Sequence, residues 1–118
     1  MKVLVACEFS GVVRQAFAEK GHDAWSCDLL PTEISGKHYQ GDVRDIFDDW
    51  SIIGGKPDFL VGHPPCTYLT NAGVRHLYEH VVSRNGKHAA VYGAARWSAM
   101  KDAALFFRQL LNTDVNRI

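Results

Sequence analysis

Three short apolar runs, at residues 2–7, 23–28 and 58–62, constrain the fold of this chain more than any other feature. Each is too short for a stable helix, carries Val, Leu, Phe, Trp or Cys, and ends at or is soon followed by Gly or Pro, which predicts buried strands. Between the first two, Val12, Val13, Ala16 and Phe17 fall at helical spacing over residues 12–20, and Gly21 is placed to stop that helix. Residues 42–50 predict a shorter helix, and Gly54-Gly55-Lys56-Pro57 a turn. Strands alternating with helices imply βαβ units and a mostly parallel sheet. Further on, Trp97, Met100, Ala104, Phe107 and Leu111 recur at steps of three and four. That stripe predicts a long amphipathic helix over about residues 94–111, packed by this face onto the sheet. Residues 83–88 are polar and contain Gly86, hence a loop, and residues 114–118 read as a loop entering one more strand.

The chain has 118 residues, the size of one domain spanning residues 1–118. No apolar run approaches the roughly 18 residues that span a membrane. The opening run breaks at Glu8, too soon for a signal peptide, and so reads as a strand. Cys7, Cys27 and Cys66 are odd in number and form no Cys-x-x-Cys pair, which speaks against a disulfide scaffold or a cysteine zinc site. A reducing cytoplasm is the expected setting. His76 and His80 share a helical spacing but lack a third ligand, so no metal site is expected. Charge is unevenly placed: residues 1–58 hold six Lys/Arg against ten Asp/Glu, and residues 74–108 hold six against two. An acidic half followed by a basic half suits a cationic ligand on one side and phosphate on the other, or simply two solvated faces.

In open parallel sheets, ligands gather beyond the carboxyl ends of the strands. Glu8-Phe9-Ser10-Gly11 follows the first strand, where Ser-Gly lets a backbone approach a ligand and opens the next helix toward it. Asp28 lies just past the second strand, where an acidic residue commonly accepts ribose hydroxyls. Asp42, in Gly41-Asp42-Val43, is a candidate acceptor for an adenine amino group. In order, these residues suggest a nucleoside-containing cofactor.

The sharper signal is Pro64-Pro65-Cys66 beyond the third apolar run. Two prolines fix φ and stiffen the turn that presents Cys66. Rigid presentation suits a nucleophile, because small misplacements cost large factors in rate. The alternative is a small buried cysteine behind a proline turn. Cys7 and Cys27 read as inert strand cysteines. His63 either fills the turn or polarises the thiol.

Phe9-Ser10-Gly11, Asp28, Gly41-Asp42-Val43 and the stretch from Asp58 to Cys66 resemble consecutive motifs of the cytosine-5 DNA methyltransferases, through about Thr70. The whole chain also resembles short phage and prophage proteins described as DNA cytosine methylase-like. The resemblance implies a Rossmann-like methyltransferase fold and S-adenosylmethionine as methyl donor. Phe9, Ser10, Gly11 and Pro65 would border the donor, Asp28 would hold its ribose, and Asp42 would meet its adenine. Cys66 would add to carbon 6 of a cytosine flipped out of DNA. Arg75, Arg84, Lys87 and Arg96 would then hold backbone phosphates.

The chain departs from the family in two respects. Thr67 stands where the family has Gln after the nucleophile. The family's base-binding Glu belongs on a strand beginning near Ile118, and no residue here takes that role. The chain therefore reads as a cofactor-and-nucleophile half, truncated after the fourth strand, whose exposed sheet edge offers pairing with a second copy. A shortened protein that binds nucleic acid, nucleotide or a host protein without turnover is the rival reading. Transfer to an exocyclic amino group fits less well, because those enzymes place an aromatic residue where Cys66 stands.

Overall fold

The computed structural model describes residues 1–69 and 93–118. It is an α/β structure of four parallel strands: β1 (Lys2–Ala6), β2 (Asp23–Asp28), β3 (His38–Gln40) and β4 (Phe59–Gly62). Their order in the sheet is β3-β2-β1-β4, which is compatible with a Rossmann-like fold. Helix α1 (Val12–Glu19) links β1 to β2, and α2 (Val43–Asp48) followed by a 3-10 turn (Trp50–Ile53) links β3 to β4. Helix α3 (Gly93–Leu111) follows later in the chain. No helix among the described residues is long and apolar enough to cross a membrane.

The molecule divides into two compact units, Met1–Pro64 with Leu111–Ile118, and Pro65–Leu110. In the first unit β1 is central, and its Val3, Leu4, Val5 and Ala6 are all fully buried. A strand flanked on both sides and covered on both faces reads as a continuous apolar run, which is what residues 2–7 show. Val3 and Val5 pack with Ala24, and Val13, Phe17, Phe59 and Val61 close over them. Phe17 of α1 meets Phe59 of β4 edge-on at 6.0 Å, so the helix bridges strands distant in sequence.

Helix α1 ends as its sequence indicates. Gly21 takes φ +86, and the amides of Gly21 and His22 bond back to the carbonyls of Ala18 and Phe17. At the far end of the chain, Phe59 bridges Arg117 in parallel and the Leu60 amide donates to the Arg117 carbonyl at 2.9 Å. Residues 114–118 thus reach the edge of β4 through a single bridge, where the sequence predicts a loop entering one more strand.

Two elements differ from expectation. β3 has no apolar alternation to reveal it; three half-buried or exposed residues become a strand only because β2 offers them a ladder. Helix α3 forms where the stripe predicted it, but the stripe faces outward. Trp97, Ala104, Phe107 and Leu111 are exposed, and only Met100 is half-buried. The inward face runs through Arg96, Ala99, Ala103, Phe106 and Leu110 instead. Ala99 and Ala103 on this face are half-buried, whereas the large side chains drew attention to the other one.

Candidate functional site

The carboxyl ends of β1, β2 and β3 lie side by side on one edge of the sheet. Main-chain bonds fix them there: the Glu8 amide donates to the Cys27 carbonyl at 3.1 Å, and the Gly41 amide to the Asp28 carbonyl at 2.8 Å. The segments carrying Phe9, Ser10 and Gly11, then Asp28, then Asp42, are therefore neighbours in space as their order in the sequence suggested. Phe9 is 39% exposed and Asp28 half-buried. Cys7, directly after β1 at φ +62, sits in the field of both Asp28 and Asp42. Burial first, then those two carboxylates, push its thiol up to about 11.

The start of α1 is closed, not open. Glu8 is 6% exposed, and its carboxylate accepts the Val13 amide at 2.7 Å and the Arg14 amide at 3.2 Å. Ser10 accepts the Val12 amide at 3.3 Å and donates its hydroxyl to Glu8 at 3.1 Å. A helix leaves its first amides without partners inside the helix, and here the preceding loop takes them. This corrects the expectation that Ser10-Gly11 opens the helix toward a ligand. Gly11 answers to a different neighbour. A Cβ on it would lie 2.8 Å from the Arg14 guanidinium and 3.0 Å from Ile34, at a φ of +82 that side chains disfavour.

Arg14, which sequence reasoning missed, is 1% exposed. Its guanidinium donates to the Ser26 hydroxyl at 2.9 Å, to the Thr32 hydroxyl at 3.2 Å and to the Ile34 carbonyl. Ser26 bonds His38 at 2.8 Å, and the other His38 nitrogen meets the Leu30 carbonyl at 3.0 Å. The imidazole tautomer with its proton on Nε2 satisfies both contacts. The Glu33 amide also donates to the Phe9 carbonyl at 2.9 Å. This network pins the loop between β2 and β3 beside the start of α1. An arginine beside Val12, Val13, Ala16 and Phe17 carries no sequence signal of burial. Glu8 had one, a carboxylate four residues before a helix, but its role was not read.

The two site aspartates are already partly used. Asp28 accepts the Leu30 amide at 2.9 Å through one oxygen. Asp42 caps α2 by accepting the Arg44 amide at 2.9 Å, and Arg44 grips both its oxygens through Nε at 3.0 Å and Nη2 at 2.5 Å. Arg44 holds the Asp42 carboxyl below its ordinary range. A carboxylate has about four lone-pair positions, so Asp28 retains acceptor capacity, whereas the four contacts from Arg44 fill those of Asp42, which is freed only where Arg44 turns aside.

Pro65, Cys66 and Arg96 belong to the second unit. Pro65 and Cys66 are exposed, whereas Cys27 is buried with its thiol pushed up to about 12, chiefly by burial. Cys66 follows β4 by four residues, and the Leu69 amide donates to its carbonyl at 3.0 Å, closing a turn. His63 is exposed, with its amide donating to the Ala6 carbonyl at 3.0 Å.

Arg96 requires a correction. It is 6% exposed, donates from Nη2 to the Thr67 carbonyl at 2.9 Å, and lies 4.4 Å above the Tyr68 ring. A guanidinium so enclosed is not displayed to a phosphate backbone. The phase of α3 turns it inward. Arg75, Arg84 and Lys87 lie outside the described residues, as do His76 and His80. A shallow depression lined by Met1, Asp58, Asn116 and Arg117 lies at the opposite, amino edge of the sheet. No protein family, curated protein or solved structure matches this chain.

Proposed function

We propose that this chain is an S-adenosylmethionine-dependent, cytosine-5-methyltransferase-like protein acting on DNA in the cytoplasm. The observation that carries the reading is the closed start of α1 among carboxylates. A phosphate-bearing dinucleotide needs open amides at that helix start. Here Glu8 and Ser10 take them, and Asp28 adds negative charge at the next strand end, while Arg44 offsets that of Asp42. Such an edge repels phosphate and suits a nucleoside whose charge is positive and whose tail carries none. A sulfonium nucleoside has that chemistry.

In this reading Asp28 accepts the ribose hydroxyls with its remaining lone pairs, Asp42 meets the adenine amino group, and Phe9 packs against the ligand. Ser10 and Gly11 shape the loop. S-adenosylmethionine, when bound, supplies the electrophilic methyl group. The Cys66 thiolate forms a bond to carbon 6 of a flipped-out cytosine, which sends the ring electron pair to carbon 5. Carbon 5 would take the methyl group from the sulfonium, releasing S-adenosylhomocysteine; its proton would leave to a base, and the bond between carbon 6 and the Cys66 sulfur would break to restore the thiolate. Arg75, Arg84 and Lys87 would hold phosphates, and a second copy would pair on a sheet edge.

A binding protein without turnover is favoured by one observation, the double grip of Arg44 on Asp42. Calorimetry separates the readings. S-adenosylmethionine is expected to bind and a phosphate-bearing dinucleotide to give no heat. No heat or thermal shift with millimolar S-adenosylmethionine overturns the cofactor assignment. Binding without covalent capture of 5-fluorocytosine DNA selects the binding protein.

A further inference from the structure

We propose that Arg96 is the positioning residue of the Cys66 turn, a role that rests on Cys66 being the nucleophile. Its guanidinium grips the two residues that directly follow Cys66. Nη2 donates to the carbonyl of Thr67 at 2.9 Å, and the guanidinium carbon sits over the ring of Tyr68, 4.4 Å from its centroid. The turn itself is closed by the Leu69 amide on the Cys66 carbonyl at 3.0 Å. Pro64 and Pro65 fix the backbone entering Cys66, and Arg96 fixes the backbone leaving it. Cys66 itself remains exposed.

The choice of residue follows from what the contact requires. Burying a cation is costly unless it is paired or hydrogen-bonded, so packing alone would be served better by Met or Leu. A planar guanidinium can donate to a carbonyl and lie against an aromatic ring at once. Lysine supplies the donor and loses the stacked plane. The carbonyl and ring it holds belong to Thr67 and Tyr68, so its effect reaches Cys66 through the turn and not by contact with substrate.

The test uses the full chain with Arg96→Met and Arg96→Lys. Amide exchange at Leu69 is expected to quicken at least about tenfold in Arg96→Met, with Arg96→Lys between it and the parent. Covalent capture of 5-fluorocytosine DNA, with S-adenosylmethionine present, should slow at least about tenfold in Arg96→Met, since a loosened nucleophile attacks less often in line. Iodoacetamide labelling of exposed Cys66 should stay within about twofold, because a small reagent needs access and thiolate, not orientation. Cys7 and Cys27 report on the fold and should stay unlabelled in each variant. Unchanged exchange at Leu69 overturns the proposal. So does slower capture accompanied by labelling of Cys7 and Cys27, which marks general loosening. A parent chain that never captures cytosine, with exchange at Leu69 still responding, overturns the nucleophile reading and leaves Arg96 as a brace of the turn.

Discussion

Glu8 reaches past four residues to accept the Val13 amide at 2.7 Å, and with that contact the start of α1 is filled from within the chain. Its second oxygen takes the Arg14 amide. Glu8 thus does the work of a capping side chain, since Gly11 at the helix start has none. Replacing it with Ala is expected to cost about 1–2 kcal/mol of stability, and with Gln less, because one acceptor oxygen remains. Denaturant unfolding measures both. Inorganic phosphate should then stabilise Glu8→Ala and leave the parent unaffected, since the variant opens the helix amides to an anion.

The three cysteines should separate cleanly by reactivity. Cys66 is exposed, while Cys7 is held near 11 and Cys27 near 12, in both cases chiefly by burial. At pH 8 alkylation followed by peptide mapping should find Cys66 modified first, and Cys7 and Cys27 only after unfolding. Early modification of Cys7 would remove the basis for singling out Cys66.

Acid should weaken the first unit partly through Asp23. Lys2 at 2.6 Å and Lys37 at 2.7 Å hold its carboxyl below the usual value near 3.8. A lowered folded value means stability present above the ordinary carboxylate range and lost as pH falls through the folded one. Asp23→Asn should therefore lower the thermal midpoint at pH 6, with the gap to the parent narrowing below about pH 4. A gap that is constant across pH would assign the effect to packing.

Asp28→Ala should weaken S-adenosylmethionine by about 1–3 kcal/mol, because ribose hydroxyls would be left unpaired. Asp28→Asn keeps an acceptor for the Leu30 amide and separates the ligand effect from the loop. Equal affinities in calorimetry for the parent and both variants would place the ribose elsewhere.

Gly11→Ala should destabilise the chain by more than about 1 kcal/mol, from a left-handed φ together with crowding against Arg14. Gly21 has the same hand of φ and open space around it, so Gly21→Ala should cost less. A thermal series on the two variants checks the difference.

What the sequence determined by itself was whatever depends on local pattern. Short stretches rich in Val, Leu, Phe, Trp and Cys read as buried strands, so β1, β2 and β4 were legible. Helical spacing closed by Gly21 gave α1, and the order of Asp28 and Asp42 after successive strands placed them on one edge. Only the tertiary structure decided the polar contacts, because a hydrogen bond between Arg14 and Ser26, or Arg96 and Thr67, depends on elements far apart in the chain. It made His38–Gln40 a strand through the ladder of β2, and it chose which face of α3 turns inward. Apolar periodicity marks a face by what its side chains are. Burial is settled by what the rest of the chain brings against a face, and on α3 that is the face of Arg96, Ala99, Ala103 and Leu110.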